Sequence, residues 1–315
     1  MFDLWGKKVQ EKVKDFFGIR SPSKEAYRTR PRSMEDFVNN YRAPEPEPSP
    51  EIIPPLAPEK EKKTAPSRST GKEFLRIFKQ LTEQHHPWDI WKDFIVMFAC
   101  AISNAVDKAE YDKREERYMS IIKRYDKDDQ MRFPELVAAV VMALDENQEQ
   151  DFLGRLCMEL ELGNDAKAQI FTPYSICRMM AEISVGDVCE EVDIKGCITI
   201  HDPCCGAGAT LIAGVHEAKR QLEVFDLDYR QHVFVAAQDI DETVALMCYI
   251  QLSLLGVAGY VKVGNSLTEP MTTLDSFENY WFTPMCFSEA WTTRRMIRSI
   301  DDILKGARNE KNFSD

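Results

Sequence analysis

The stretch "ITIHDPCCGAGATLIAG", residues 198–214, passes from β-branched residues through a turn into small helix-forming residues. Isoleucine and threonine at its start favour a strand, whereas alanine and leucine at its end favour a helix. Asp202 ends the predicted strand, and Gly206 and Gly208 allow a tight turn that a ligand can approach closely. The amino end of the next helix offers unpaired N–H groups at the same place. We therefore predict a ligand-binding turn.

Two more strand-like runs follow this turn, and helical runs separate them. The strand-like runs are "CITIHD" (197–202), "HVFVAAQD" (232–239) and "YVKVG" (260–264). The segments "GATLIAGVHEAKRQL" (208–222) and "ETVALMCYIQLSLL" (242–255) are predicted helices. This alternation is typical of an α/β fold with a parallel sheet, which binds ligands at the carboxyl ends of its strands. The fold class that we expect is a Rossmann-like α/β sheet.

The chain before the sheet divides into a tail and a helical region. Ten of the sixteen prolines fall between Pro22 and Pro66, in runs with little apolar periodicity. Such a composition is typical of a disordered segment. From Lys72 onward, five runs place apolar residues at helical spacing. The predicted domains are a disordered Pro-rich tail (1–71), a helical domain (72–166) and a ligand-binding α/β domain (167–315).

The composition favours a cytoplasmic protein without a metal centre. No apolar run among the 315 residues approaches the roughly 20 residues that a membrane span requires, and the charged start of the chain lacks the apolar core of a signal peptide. The nine cysteines form no C-x-x-C pair, so we expect reduced thiols and no zinc site. The net charge of -12 argues against a generally basic nucleic-acid binder, but a local basic cleft or a basic partner stays open.

Polar side chains at the predicted strand ends favour S-adenosylmethionine over a dinucleotide. The turn reads G-A-G-A-T-L and lacks the third glycine of the dinucleotide fingerprint. Asp202 precedes the first glycine, where a carboxylate repels pyrophosphate but can receive the ammonium group of an amino-acid cofactor. Asp239 can accept hydrogen bonds from ribose hydroxyls, and Asp241 can do so or cap the next helix. Asn265 can bond an adenine edge or simply shape its loop.

Four motifs in this order resemble those of the N6-adenine DNA methyltransferases. They are "AQIFTPYSICRMM" (168–180), "DPCCGAG" (202–208), "QDID" (238–241) and "GNSL" (264–267). The likeness is greatest to the modification subunits of type I restriction systems and to their phage or plasmid relatives. It covers roughly residues 73–290, because the helical region with "DFLG" (151–154) also resembles the helical domain that precedes the catalytic fold in that family.

The resemblance implies S-adenosylmethionine as the cofactor and a set of residues that hold it. These residues are Phe171, Thr172, Pro173, Asp202, Gly206, Gly208, Asp239 and Asn265. The first three would line the methionine end of the cofactor, and Asp202 would hold its amino group. The two glycines would pass beneath the cofactor, Asp239 would bind the ribose, and Asn265 would lie near the adenine. The family chemistry requires no metal.

One motif of the family is missing from this sequence. Such methyltransferases carry N/D-P-P-Y/F after the fourth strand, where it receives a flipped adenine. No such tetrapeptide follows "GNSLTEPM", and we expect the sheet to be truncated. The nearest substitute is "ENYWFTP" (278–284), whose aromatic side chains either pack the sheet edge or meet a base. The candidate catalytic residues are therefore Asn279, Tyr280, Trp281 and Phe282.

Two functions are consistent with these motifs. The first is an S-adenosylmethionine-dependent DNA methyltransferase acting on adenine N6. A separate specificity subunit would supply its DNA recognition, because no target-recognition domain is visible. The second is a catalytically inactive, methyltransferase-like binding or regulatory protein. The segment "FFGIRSPSKEAYR" (16–28) resembles a stretch near the end of phage tail tape-measure proteins and favours a phage or mobile-element origin.

Overall fold

The structure is a computed structural model that describes residues 68–162, 171–272 and 275–295. The predicted tail up to residue 67, with its phage-like segment, lies outside these ranges. The predicted domain boundary between residues 166 and 167 also lies outside them. The first helix begins at Arg68, so it runs across the boundary predicted between residues 71 and 72.

Five helices occupy the first described range, as the apolar spacing predicts. They are α1 (Arg68–Leu81), α2 (Pro87–Val106), α3 (Tyr111–Ile122), α4 (Lys127–Glu146) and α5 (Phe152–Glu159). Helix α4 begins at Lys127. Asp126 caps it by accepting a 2.8 Å hydrogen bond from the amide of Asp129, and Pro134 lies inside the helix.

The sheet has three parallel strands and one antiparallel strand in the described part of the chain. The strands are β1 (Ile198–Asp202), β2 (Val233–Asp239), β3 (Ala258–Val263) and β4 (Tyr280–Phe282). Their order in the sheet is β1-β2-β3-β4, with β4 antiparallel to β3. The mixed α/β prediction is confirmed. The three strands expected to be parallel are parallel, and β4 adds an antiparallel strand beside β3.

Five helices accompany these strands within the described residues. They are α6 (Tyr174–Ser184), α7 (Val188–Lys195), α8 (Ala209–Glu223), the short α9 (Tyr229–His232) and α10 (Glu242–Leu254). Helix α8 connects β1 to β2, and α10 connects β2 to β3. The carboxyl ends of the parallel strands consequently meet at one edge, where Asp202 pairs in register with Ala237 and Asp239 with Val263.

One hydrophobic core joins the helical region to the sheet. Helix α2 is buried on nearly all sides and packs against both α3 and α10. Trp91 and Phe152 of the helical region belong to the same buried cluster as Tyr249 of α10 and Trp281 of β4. The helical region is therefore packed directly onto the α/β region. Among the described helices, none has the length and apolar character needed to cross a membrane.

Candidate functional site

The glycine turn after β1 is held against β2 by backbone contacts. The amide of Cys205 donates to the carbonyl of Gln238 at 2.9 Å, and the amide of Gly208 donates to the carbonyl of Cys205 at 2.8 Å. Gly206 and Gly208 have φ angles of 52° and 94°, in the left-handed region that glycine adopts without strain. A Cβ on Gly208 would lie 2.8 Å from the sulfur of Cys248. The turn therefore requires glycine for both its conformation and its packing.

Asp239, at the end of β2, joins the glycine turn to the loop that precedes α10. One carboxylate oxygen accepts a 2.8 Å hydrogen bond from the amide of Gly206, and the other accepts a 2.9 Å bond from the amide of Asp241. An ionised carboxylate offers about four lone-pair sites, so both oxygens keep acceptor capacity. Burial raises the pKa of Asp239, and the nearby carboxylates of Asp241 and Asp202 raise it further. A hydroxyl or cationic ligand that bonds to this group would relieve that penalty.

Asp241 lies in the same loop as Asp239, but its side chain is bonded to the start of α10. Its carboxylate accepts hydrogen bonds from the amides of Thr243 at 2.9 Å and Val244 at 3.4 Å, and thereby caps α10. Capping is one of the two roles that the sequence left open for this residue. Asp239 is accordingly the carboxylate of this loop that lies against the turn.

Asp202 ends β1 and is oriented by its own turn and by α8. Its carboxylate accepts from the amide of Cys204 at 3.0 Å and from the hydroxyl of Thr210 at 2.6 Å. Thr210 lies in the first turn of α8, so the helix that follows the turn fixes the carboxylate. Sequence reasoning missed Thr210. A hydroxyl in the first turn after a glycine loop is the signal that points to it.

The loop after β3, with Asn265, lies beside Asp239. The amide of Gly264 donates to the backbone carbonyl of Asp239 at 2.9 Å. The side-chain oxygen of Asn265 accepts from the amide of Leu267 at 2.9 Å, which orients the asparagine within its own loop. The side chain of Gln238 donates to the carbonyls of Gly264 at 3.2 Å and Glu269 at 3.0 Å. A polar side chain in β2 therefore shapes the Asn265 loop, a contact that the sequence did not predict.

Phe171, the first residue of the "FTP" segment, lies over the glycine turn. The ring of Phe171 lies 3.8 Å from the position that a Cβ of Gly206 would occupy. Thr172 is exposed, and its carbonyl accepts a 3.8 Å hydrogen bond from the thiol of Cys177. Pro173, also exposed, is the N-cap residue of α6. The structure thus brings Phe171 to the turn and leaves Thr172 and Pro173 at the start of the helix.

A buried glutamine connects the helical region to the turn. Gln251 of α10 donates from its amide nitrogen to Asp151 at 2.8 Å and to the carbonyl of Ala207 at 2.9 Å. Its oxygen accepts from the amide of Leu153 at 3.1 Å. Asp151 also caps α5 by accepting from the amide of Gly154 at 2.8 Å. The "DFLG" segment is therefore bonded, through Gln251, to the backbone of the glycine turn.

The candidate catalytic residues lie away from this turn. Asn279 is exposed at the end of a short 3₁₀ helix, and Tyr280, Trp281 and Phe282 form β4. Strand β4 is at the edge of the sheet opposite β1, and Tyr280 and Trp281 are buried. The structure brings Asp202, Gly206, Gly208, Asp239, Asn265 and Phe171 together at the carboxyl ends of β1, β2 and β3. Tyr280 pairs in register with Lys262 near the carboxyl end of β3, so β4 begins at this same end of the sheet, but β2 and β3 separate it from β1 and the glycine turn.

A buried arginine of the helical region fixes β4 in this position. Arg114 of α3 donates to the carbonyl of Tyr280 at 2.8 Å, and its guanidinium lies 4.1 Å from the ring centroid of Trp281. It also pairs with Asp107 at 2.8 Å and donates to Ser103. In the part of the chain that the structure describes, no group of three or more His, Cys, Asp or Glu side chains could hold a metal ion.

The comparison with known families agrees with the ordered motifs. Residues 159–312 match the model of the N-6 DNA Methylase family. This stretch of the chain is similar in sequence to that family, and the predicted family resemblance is confirmed.

One solved structure in the comparison is the "modification subunit of a putative type I restriction enzyme from Vibrio vulnificus YJ016". Its sequence identity to the chain is 16% and the TM-score is 0.30; the alignment covers 46% of this chain and 28% of that chain. The chain thus spans less than a third of the length of that subunit. No curated protein matches the chain.

Proposed function

We propose that the chain binds S-adenosylmethionine at the carboxyl edge of its sheet and serves as the cofactor-binding part of an N6-adenine DNA methyltransferase. The observation that carries this proposal is the position of Asp239. Its carboxylate is bonded to the amide of Gly206, lies within the segment that matches the N-6 DNA Methylase family, and keeps acceptor capacity on both oxygens.

The residues of the site fit the chemistry of this cofactor. The carboxylate of Asp239 would accept from the ribose hydroxyls, and that of Asp202 would receive the ammonium group at the methionine end. The ring of Phe171 packs over the turn at Gly206, where it would line the methionine end of the cofactor. The amide nitrogen of Asn265 would donate to the adenine edge, because its oxygen already accepts from the loop.

The bound cofactor would supply the sulfonium methyl group that is transferred to the target amine. The chain would hold the cofactor in a fixed orientation, which is the main contribution that a protein makes to such a transfer. The target adenine would leave the DNA stack to reach the site. We include in this proposal a separate specificity subunit that selects the DNA sequence, a cytoplasmic location and a phage or mobile-element origin.

Calorimetric titration of S-adenosylmethionine into the purified chain tests the proposal. We expect micromolar binding, which Asp239→Ala weakens by about 1.5 to 3 kcal/mol through the loss of hydrogen bonds to a charged group, or about ten- to 150-fold. Asp228→Ala is the matched control, because Asp228 also accepts from a backbone amide but caps α9 instead. Circular dichroism and melting curves establish that each variant is folded.

Two outcomes would contradict this proposal. A folded wild-type chain that binds no S-adenosylmethionine would remove the cofactor from the function. Equal affinities for wild type and Asp239→Ala would remove Asp239 from the site, even if the cofactor binds elsewhere on the chain.

A second function, a catalytically inactive methyltransferase-like subunit, is favoured by one observation. Tyr280 and Trp281 are buried in β4, which β2 and β3 separate from the strand β1 that leads into the glycine turn, and the sequence lacks N/D-P-P-Y/F. Transfer of a labelled methyl group from S-adenosylmethionine to unmethylated DNA separates the two functions. Cofactor binding without transfer supports the inactive subunit, whereas labelled N6-methyladenine supports the enzyme.

A further inference from the structure

Strand β1 is the least covered of the parallel strands. It pairs with β2 on one side, and no described residue pairs with its other side, which we call the open edge. Thr199 and His201 of β1 are exposed, whereas β2 and β3 are mostly buried. Parallel strands in α/β proteins are normally covered on both faces, and an unpaired edge exposes backbone groups that can bond another strand.

The helices next to β1 expose large apolar side chains. On α6, Cys177 and Ala181 are buried against α8. The outer side of the helix exposes Ile176, Met179, Met180 and Ile183, and α7 adds Ile194; we call these five residues the apolar face. Ile183 is 78% exposed and Ile194 is 71% exposed. Ile176, Met179, Met180 and Ile183 share one side of α6 by their helical spacing, and exposed apolar side chains grouped in this way mark an interaction site.

The middle of β1 and the carboxyl-terminal end of α6 lie close together. At Gly214 of α8, a Cβ would lie 3.5 Å from the side chain of Ile200 in β1 and 4.0 Å from Val185 at the end of α6. The glycine therefore allows β1 and the end of α6 to approach α8 closely. A strand added beside β1 would therefore lie near the carboxyl-terminal end of α6, which carries the exposed Ile183.

The charges around the apolar face argue against a second copy of this chain. Residues 174–195 contain five acidic and two basic side chains. Arg178 pairs with Glu182 at 3.8 Å, and Lys195 pairs with Glu191 at 2.6 Å, both within their own helices. The remaining acidic side chains, which include the exposed Glu190 and Asp193, would repel those of a second copy. They complement a partner that carries Lys or Arg.

We propose that the open edge and the apolar face bind a separate polypeptide. This polypeptide places a strand beside β1, packs apolar side chains on α6, and sets basic side chains opposite Glu190 and Asp193. The partner would cover the one edge of the parallel sheet that the described residues leave unpaired. This inference does not rest on cofactor binding or on methyl transfer, and it stands if either is absent.

Site-specific photo-crosslinking in the native host identifies the partner. A benzoyl-phenylalanine at position 183 is compared with one at position 224, because Val224 is 76% exposed but lies at the end of α8. We expect position 183, and not position 224, to capture one polypeptide whose cross-linked peptide contains an apolar strand-like run flanked by Lys or Arg. Cross-links to a second copy, to another segment of this chain, or equally from both positions would overturn the proposal.

Reconstitution with that purified polypeptide then tests the mode of binding. We expect amides of 198–202 to gain protection from hydrogen exchange in the complex. We also expect Ile183→Lys to weaken binding at least tenfold and Val224→Lys to leave it unchanged. Reversing the charges with Glu190→Lys and Asp193→Lys should weaken binding most at low salt. A complex that forms without added protection of β1, or that tolerates Ile183→Lys, would overturn the proposal.

Discussion

Gln251 and Asp151 are 100 positions apart in the sequence, and their side chains are joined by a 2.8 Å hydrogen bond in the core. The same amide nitrogen of Gln251 donates to the carbonyl of Ala207 in the glycine turn. Burial raises the pKa of Asp151, while the bonds from Gln251 and Gly154 oppose that rise. A single side chain thus connects the cap of α5 with the backbone of the candidate cofactor loop.

We predict that Gln251→Ala lowers the free energy of unfolding by about 2 to 4 kcal/mol, because it removes one hydrogen bond from the buried Asp151 and removes the bonds that Gln251 makes to the amide of Leu153 and the carbonyl of Ala207. Urea unfolding measures the change. Gln84→Ala is the control at an exposed position, where we expect a change within about 0.5 kcal/mol. Equal stability of the two variants would show that the bonds of Gln251 contribute nothing net.

The glycine turn should be intolerant of a methyl group at Gly208. Gly208→Ala combines a φ of 94° with a Cβ 2.8 Å from the sulfur of Cys248, and we expect a loss of about 1 to 3 kcal/mol of stability. Gly186→Ala is the matched control, since nothing lies within 4 Å of its Cβ position. Denaturant unfolding compares the two variants, and a neutral Gly208→Ala would contradict the strained geometry.

Arg114 should stabilise β4 through contacts that only a buried cation can make. Arg114→Met leaves the carboxylate of Asp107 buried without its ion-pair partner, which costs about 3 to 5 kcal/mol. The double variant Arg114→Met, Asp107→Asn should recover part of this loss, because the buried charge is removed. Thermal unfolding compares the stabilities of the wild type, Arg114→Met and the double variant, which we expect to decrease in the order wild type, double variant, Arg114→Met. A double variant less stable than Arg114→Met would be contrary to this account.

His216 should make the stability of the protein depend on pH. Burial lowers the pKa of His216, whose Nε2 lies 3.0 Å from the carbonyl of Gln148 in the helical region. The unfolded chain, with a histidine pKa of about 6.5, then binds more protons than the folded protein as pH falls. The stabilising contribution is complete above about pH 6.5 and is lost as pH falls through the lower folded-state pKa.

We therefore expect the free energy of unfolding to fall less steeply between pH 7.5 and 5.5 in His216→Gln than in the wild type. His86→Gln, at an exposed histidine, should keep the wild-type slope. Denaturant unfolding at several pH values measures both slopes. Parallel profiles for the wild type and His216→Gln would show that this histidine is not the source of the pH dependence of stability.

The strands, the glycine turn and the five helices before the sheet were predictable because local periodicity and turn chemistry specify them. Because strands and helices alternate along the chain, the three strands were expected to be parallel, with their carboxyl ends at one end of the sheet. Asp202, Asp239 and Asn265 follow or end these strands and were therefore expected to lie together. Strand β4 was not predictable in the same way. It is only three residues long. Its position depends on the hydrogen bond from Arg114 to the carbonyl of Tyr280, two residues that are 166 positions apart in the sequence.

The contacts of Gln251 were equally beyond local reasoning. The sequence shows a glutamine in the otherwise apolar run "ALMCYIQLSLL" (245–255), which indicates a buried polar group with partners. It does not say which partners, because Asp151 and Ala207 come from two different parts of the chain. Pairs of this kind depend on tertiary packing, whereas Asp241 at the start of α10 could be recognised as a cap from its neighbours alone.

Helix α10 lies between α2 of the helical region and the strands of the sheet, and twelve of its residues are buried. A protein cut between the two regions would expose this helix to water, so neither half should survive as an independent folding unit. The whole described chain should instead melt as one cooperative unit. A ligand held at the glycine turn would then protect the distant helix α1 from proteolysis, although it touches no residue there.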